Sequence, residues 1–451
     1  LIHISRDGGK NWKNVTPKNL PEWALINSIE IDPWNPGGLY VAATKYKLGD
    51  YAPYLFRTTD YGKTWKKISN GIGEEHFTRV IRADRKVKGL LYCGTEQGLY
   101  LSQDNGKNWT PFQLNLPIVP ITDLALKDND LIVATQGRSF WILDDLNVIW
   151  DEFENKSKAD ELRIFSSQPS AGFGGRGSSS PTAGTNHPSG IRFYFNIPGD
   201  IKSIQLKFID GSNEVIRSFS TKATDKKDKL KVKKGINVFE WNLRYPKADK
   251  FDGLLMWWGT LAGPIAPPGD YKIRLVTETD SIESSFKILL DPRSGTSISD
   301  RQAQFDFLLD IRNKLDETHD GIRQMRAVSK QIGQLNNDLD TNLFKAVIDE
   351  GKRIDSIMKK IESELYQTKL KSNQDMLNFP IKLNNKLAHV ASLASMGNYR
   401  PTKQMIAVKN TITAKINIEL EKWNVIKNKD IPTYNQLIHT QKVDVIKLGK
   451  D

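Results

Sequence analysis

The side chains that could carry acid–base chemistry in the first third of this chain are carboxylates. Glu74, Glu75, Asp84, Glu96, Asp123, Asp144 and Asp145 fall on loops or strand ends of a segment dense in β-strand signals. In such places one carboxyl can act as general acid and another as base. Nothing in their spacing pairs any two of them. The six histidines, His3, His76, His187, His319, His389 and His439, are scattered, and none has a second His or a Cys at ligand spacing. No metal is therefore expected. Cys93 sits alone in the apolar run GLLYCGT, which suits a buried thiol better than a nucleophile and allows no intrachain disulfide. Nucleophile elbows and dinucleotide loops are not found, and no cofactor is expected. The other candidates are aromatic. Trp23, Trp34, Tyr46, Tyr51 and Tyr54 lie between strand-like runs, where exposed rings can bind sugars or peptides or simply anchor a loop.

These residues are positioned by a repeat. SRDGGKNW (Ser5–Trp12), TTDYGKTW (Thr58–Trp65) and SQDNGKNW (Ser102–Trp109) share Asp, Gly, Lys and Trp in fixed places. They recur about every 50 residues, the span of a four-stranded propeller blade. Asp7, Asp60 and Asp104 can turn their carboxylates onto nearby backbone N–H groups, Gly9, Gly62 and Gly106 supply positive φ, and Trp12, Trp65 and Trp109 begin the returning strand and cover the turn. Alternating runs such as INSIEIDP, GGLYVAAT and FTRVIRAD supply the strands. A last unit, ITDLALK, DLIVATQG and SFWILDD, has the strands without the motif.

The motif resembles the Asp-box, or BNR, propellers, a group that includes sialidases, oligoxyloglucan-cleaving xyloglucanases and sortilin-type receptors. The resemblance implies a fold and leaves activity open, since function resides in sites grafted onto folds. It makes the repeated Asp structural.

At 451 residues and 38% hydrophobic content the chain has room for about three domains. Residues 151–190 pass through DEFENKSKADEL into AGFGGRGSSSPTAGTNHPSG, which reads as a linker. Over 191–293, six short strands from IRFYFNIPG to SSFKILLDP read as an antiparallel β-sandwich of immunoglobulin-like kind. After Pro292 the apolar period moves to about 3.6. Ser299 is a candidate cap for a helix carrying Leu308, Ile311, Leu315, Ile322 and Met325, and three further apolar stripes follow. The stripes predict an antiparallel four-helix bundle over 297–428, with a C-terminal tail over 429–451.

ATQGRSFWILDD, GPIAPPGDYKIRL, FKILLDPR, LNNKLAHVASL and GNYRPT together resemble one family of bacterial sortilin-like proteins often labelled glycosyl hydrolases. The resemblance implies an exported protein of the periplasm or cell surface, near outer-membrane proteins, with a protein or carbohydrate ligand. It also invites a glycosidase pair, two carboxyls roughly 5–10 Å apart. The preferred reading is a non-catalytic binding or scaffold protein. The alternative is a glycoside hydrolase of xyloglucanase or sialidase type.

Basic residues exceed acidic ones by 65 to 53, but they are spread along the chain, which suits solubility rather than nucleic-acid binding. No apolar run approaches the ~20 residues of a membrane-spanning helix. The opening residues LIHISRDGGKNW have no initiator Met and begin inside a repeat. Further propeller blades, and any export signal, are therefore expected upstream.

Overall fold

The computed structural model describes residues 1–154, 161–171, 184, 190–199, 201 and 203–443. The GFGGRG segment, His187 and the chain after residue 443 lie outside them. The chain divides into two units, Leu1–Gln168 with Tyr194–Gly199 and Lys234–Ile236, and Pro169–Phe193 with Asp200–Lys233 and Asn237–Asp451.

The first unit is a series of antiparallel meanders. A hairpin of β1 (His3–Ile4) and β2 (Lys13–Asn14) precedes two four-stranded sheets. One is β3 (Leu25–Ile31), β4 (Leu39–Lys45), β5 (Asp50–Thr58) and β6 (Lys66–Lys67). The other is β7 (Thr78–Ala83), β8 (Leu91–Thr95), β9 (Gly98–Ser102) and β10 (Thr110–Pro111). A three-stranded sheet of β11 (Ile121–Lys127), β12 (Asp130–Thr135) and β13 (Phe140–Leu143) follows. Strands pair in chain order, so every connection is a hairpin turn and no crossover is needed. Apolar layers lie between successive sheets. One joins Tyr40, Ala42 and Leu55 to Ile81, Leu91 and Cys93, and the next joins Tyr92, Leu99 and Leu101 to Leu124, Leu131 and Val133. Burial raises the Cys93 thiol well above its ordinary range.

The repeated motifs close one turn three times. In the second, Asp60 Oδ1 accepts from the Thr64 N–H at 2.9 Å and Oδ2 from the Thr64 hydroxyl at 2.6 Å. Asp7 and Asp104 repeat the pattern with Asn11 and Asn108. Hydrogen bonds from the Thr64 side chain and backbone hold Asp60 down at about 2. The tryptophans do more than cover the turn. Trp65 Nε1 donates to the Val15 carbonyl at 2.6 Å, and Trp109 Nε1 donates to that of Ile68 at 2.6 Å. Each indole is therefore tied to the preceding sheet segment. The motif glycines are pressed against the same residues: a Cβ on Gly62 (φ +77°) would stand 2.6 Å from Val15 Cβ, and one on Gly106 (φ +79°) 2.6 Å from Ile68 Cδ1. Among the described residues Trp12 has no such partner, and it turns back to the Gly9 carbonyl at 3.0 Å.

The expected linker is partly structured. Asn147–Glu154 form helix α1, which buries Trp150, and Arg163–Ile164 form β14. The acidic run DEFENKSKADEL is polar, which favours a linker in the sequence. The helix has four apolar positions, Val148, Ile149, Trp150 and Phe153, too few to show a period.

The remaining strands are β15 (Ser170–Ala171), β16 (Ile191–Ile197), β17 (Gln205–Ile209), β18 (Val215–Ser220), β19 (Gly235–Trp241), β20 (Gly269–Val276) and β21 (Ser281–Leu289); all belong to the second unit except part of β16 and the start of β19, which fall in the first. A five-stranded sheet runs β15, β21, β20, β17, β18. Phe208 is the hub of an aromatic cluster: it stacks on Trp241 at 4.5 Å and meets Phe193 at 5.2 Å and Phe219 at 6.1 Å.

The helices are α2 (Ile298–Asp338), α3 (Lys345–Leu365), α4 (Leu383–Ala394), α5 (Lys403–Val425) and α6 (Ile431–Thr440). Helix α2 is capped by Ser297, not Ser299: Ser297 Oγ accepts the Asp300 N–H at 3.1 Å, and Asp300 returns a carboxylate to the Ser297 N–H at 3.2 Å. The tail expected from residue 429 is helix as far as Thr440. A wide turn over Ile426–Asp430 joins α5 to α6 and precedes Pro432, and Tyr434 is buried in the helical core. A proline lacks the N–H and crowds the turn before it. The loosened turn accommodates the ring without ending the helix.

The helical core is not made of helices alone. Ala248 and Phe251, from the long connection between β19 and β20, are buried in it, with Leu254, Met256 and Leu261 packed against it. Asn385 clamps the Trp257 backbone with two hydrogen bonds, accepting at 2.8 Å and donating at 2.7 Å. Buried His319 bonds the Asp249 carbonyl through Nδ1 at 2.7 Å, so Nδ1 carries the proton, while Nε2 accepts from Asn384 at 3.3 Å. Phe251 meets His319 edge-on at 5.2 Å and Tyr366 at 4.9 Å.

Trp109 is 3% exposed and Trp12 is 64% exposed. Urea unfolding of the first unit should therefore show Trp109→Ala costing about 3–5 kcal/mol and Trp12→Ala under about 0.5 kcal/mol. In the second unit, burial holds the His319 imidazole below its ordinary 6.5. The unfolded chain then takes up the proton first, so this contribution to stability is complete above about pH 6.5 and is lost as the pH falls below it. Thermal melts should drop as the pH falls below about 6.5, and His319→Gln should flatten that drop.

Candidate functional site

Strand alternation sends the connections of the first unit to two opposite ends. The β4–β5 turn, the segments entering β3 and β7, and the β8–β9 and β12–β13 turns share one end. The Asp-containing motifs and the β3–β4 and β7–β8 turns share the other. The five aromatic candidates therefore do not come together. Trp34 lies at the motif end, where its Nε1 donates to the Asp84 carbonyl at 3.1 Å and fixes a turn. Tyr54 lies within β5, not on a loop: its hydroxyl donates to Asp50 at 2.7 Å, Lys67 lies 4.8 Å over its ring, and burial followed by the Asp50 bond pushes its hydroxyl up to about 12.

Trp23, Tyr46 and Tyr51 are at the first end. Trp23 is 87% exposed at φ +64°, where a bulky residue is strained. Tyr46 stacks flat on Phe77, with centroids 4.8 Å apart and planes 8° apart, and Tyr51, on β5, tilts onto the same ring at 6.2 Å. Arg79 lies 5.2 Å over Phe77 and 5.7 Å over Tyr46, and its Nε donates to Glu96 at 2.6 Å. Beside them the Tyr100 hydroxyl meets His76 Nδ1 at 2.7 Å. The result is a rigid aromatic shelf with a guanidinium fixed across it. Phe77 and Arg79 were not among the candidates. They stand two residues apart on FTRVIRAD, but the pairing register shifts between Thr78 and Val80, so the strand period alone does not foretell that they share a face; Thr78 stands opposite Thr95, beside Glu96.

The carboxylates divide between the ends as well. Glu74 and Glu75 are exposed at the shelf end, and Glu96 is held there by Arg79. Asp84, Asp144 and Asp145 are at the motif end. Asp84 is 1% exposed and accepts from Trp150 Nε1 at 2.8 Å, the Tyr92 hydroxyl at 3.1 Å and the Lys86 and Val87 N–H groups. That is an internal node, not an acid facing solvent. Asp32 does the same for Tyr40 at 3.1 Å, eight residues on. This second repeated aspartate is hidden in the sequence because its neighbours differ, IDPWNPGGLY against RADRKVKGLLY. The Tyr194 hydroxyl donates to Asp145 at 3.1 Å.

One further group stands on the first strands of the three sheets. Arg82 of β7 donates to Asp123 of β11 at 2.6 Å and lies 3.8 Å from Glu30 of β3. Burial raises Glu30, while the Ala83 N–H and Arg82 oppose the shift. Among the described residues, no three His, Cys, Asp or Glu side chains are grouped to hold a metal ion.

No protein-family model matches the chain, and no curated protein matches it. Among solved structures it is similar to YCF48 bound to D1 peptide, at 20% identity over 32% of this chain and 44% of that one, with a TM-score of 0.24. It is similar to a GH74 enzyme of Niastella koreensis at 18% identity over 27% of this chain and 21% of that one, TM-score 0.23. An ancestral GH74 enzyme matches at 13% identity over 61% of this chain and 35% of that one, TM-score 0.22. The chain spans less than half the length of each of these structures.

Because Asp84 is a structural node, Asp84→Ala should lower the stability of the first unit by about 2–4 kcal/mol in urea, as four donors, three of them buried, lose their acceptor. Ligand binding at the shelf end should persist wherever the variant remains folded.

Proposed function

We propose that the first unit consists of blades of an Asp-box β-propeller of the sortilin-like kind, and that its shelf end is a non-catalytic recognition face. The observation that carries this reading is the stack of Tyr46 and Tyr51 on Phe77 with Arg79 across it. Flat rings held by a buried partner present contact area at little entropic cost and suit a sugar ring, an aromatic or a planar peptide group. Glu96, at the same end, is engaged by Arg79. In this reading the second unit combines an immunoglobulin-like sandwich with a helical bundle that docks the protein to a neighbour. The protein is exported to a bacterial envelope and binds a peptide, protein or glycan. Among the described residues, no helix is long and apolar enough to cross a membrane.

The hydrolase reading has one specific foothold in Glu30, whose raised pKa is what a general acid needs. Against it, the Arg82 guanidinium occupies the space beside both Glu30 and Asp123.

Purified protein should bind one member of a panel of xyloglucan oligosaccharides, sialosides, peptidoglycan fragments and peptides without turning it over. Trp23→Ala and Tyr51→Ala should weaken that binding about tenfold or more, and Trp34→Ala should leave it unchanged in protein that is folded. Turnover abolished by Glu30→Gln would establish the hydrolase instead.

A further inference from the structure

The second unit contains a cleft of about 1080 Å³ between the β19–β20 connection and helices α2 and α4. Four arginines line it, Arg244, Arg293, Arg301 and Arg312, against one carboxylate, Asp291. Two of the four are accounted for. Arg293 grips Asp291 through both oxygens at 3.0 Å, and Arg312 pairs with Asp316 at 3.3 Å. The other two make no ion pair among the described residues. Arg244 donates one N–H to the Gly263 carbonyl at 3.0 Å, and Arg301 donates one to the Gln304 side chain. Gln304 is in turn anchored by the Ala394 and Gly397 carbonyls at 2.7 and 3.1 Å, so Arg301 is held by a fixed neighbour.

We infer that this cleft binds a small molecule through an oxyanion group, a phosphate, sulfate or carboxylate, held jointly by Arg244 and Arg301. Half-buried guanidinium groups without a counter-charge are costly to hold in a folded chain, and an anion removes that cost. Burial pulls both groups below their usual range, the direction expected where the counter-charge must come from outside. The planar fork of N–H donors matches two oxygens of one anion. The volume admits more than the anion alone, and Phe305 and Leu308 offer apolar surface for a carbon skeleton. This site is independent of the shelf in the first unit.

Isothermal titration of the full chain with inorganic phosphate, sulfate, glucuronate, glucose 6-phosphate and neutral glucose tests the inference. At least one of the four anions should bind, glucose should not, and binding should weaken as salt rises. The anion arms distinguish phosphate, sulfate and carboxylate as the preferred group. Arg244→Gln and Arg301→Gln should each weaken the interaction about tenfold or more. Because Arg301→Gln could disturb α2, Ala262→Glu provides a second probe. Ala262 is an exposed lining residue, and a carboxylate placed there should suppress anion binding while circular dichroism and melting remain unchanged. Failure of all four anions to bind, equal binding of glucose, or undiminished binding in folded Arg244→Gln and Ala262→Glu variants would overturn the inference.

Discussion

A four-stranded meander cannot bury both of its faces by itself, so the first unit depends on how one sheet is fastened to the next. That fastening is the indole N–H of Trp65 on Val15 and of Trp109 on Ile68. The glycine three residues before each indole lets the turn approach the same anchor residue. Aspartate shapes the turn, glycine permits its approach, and tryptophan locks it. Because the lock acts between sheets, the motif is conveyed by packing more than by local turn preference. The apolar layers that follow, with Cys93 among them, lie in the space this fastening defines.

The same architecture decides what can be a site. With hairpin connections throughout, each loop belongs to one of two ends, and residues close in sequence can be a strand length apart. Trp34 and Tyr46 are twelve positions apart on the chain and at opposite ends of the sheet. The shelf instead gathers residues from two meanders, with Phe77 serving both tyrosines.

Much of the fold was legible because it rests on local period. The strand runs, the turn motifs and the helical stripes all correspond to elements. What escaped depended on partners distant in the chain. Asp84 looked like an available acid because its donors, Tyr92 and Trp150, are named only by the fold. Ser297 and Ser299 both precede the apolar stripe, and only Ser297 places Asp300 at the reciprocal position. The helix beyond Asp430 was hidden by Pro432, an ordinary stop signal that a wide turn overcomes. The arginine cleft had no sequence mark at all, since Arg244 and Arg301 are far apart in the chain and what distinguishes them is that neither makes an ion pair among the described residues.

The connection between β19 and β20 carries a further consequence for synthesis. Phe251, Leu254, Met256 and Trp257 leave the ribosome well before the helices that enclose them. Leu255 bonds to a residue 111 positions later, and Trp257 to one 128 positions later. Contacts of such separation form late and leave apolar surface waiting for its partner. The nascent chain therefore passes through an interval in which this ribbon has been made and the helices that cover it have not. A holdase would find its footing there, and translation speed over the next hundred codons would govern how long that footing lasts.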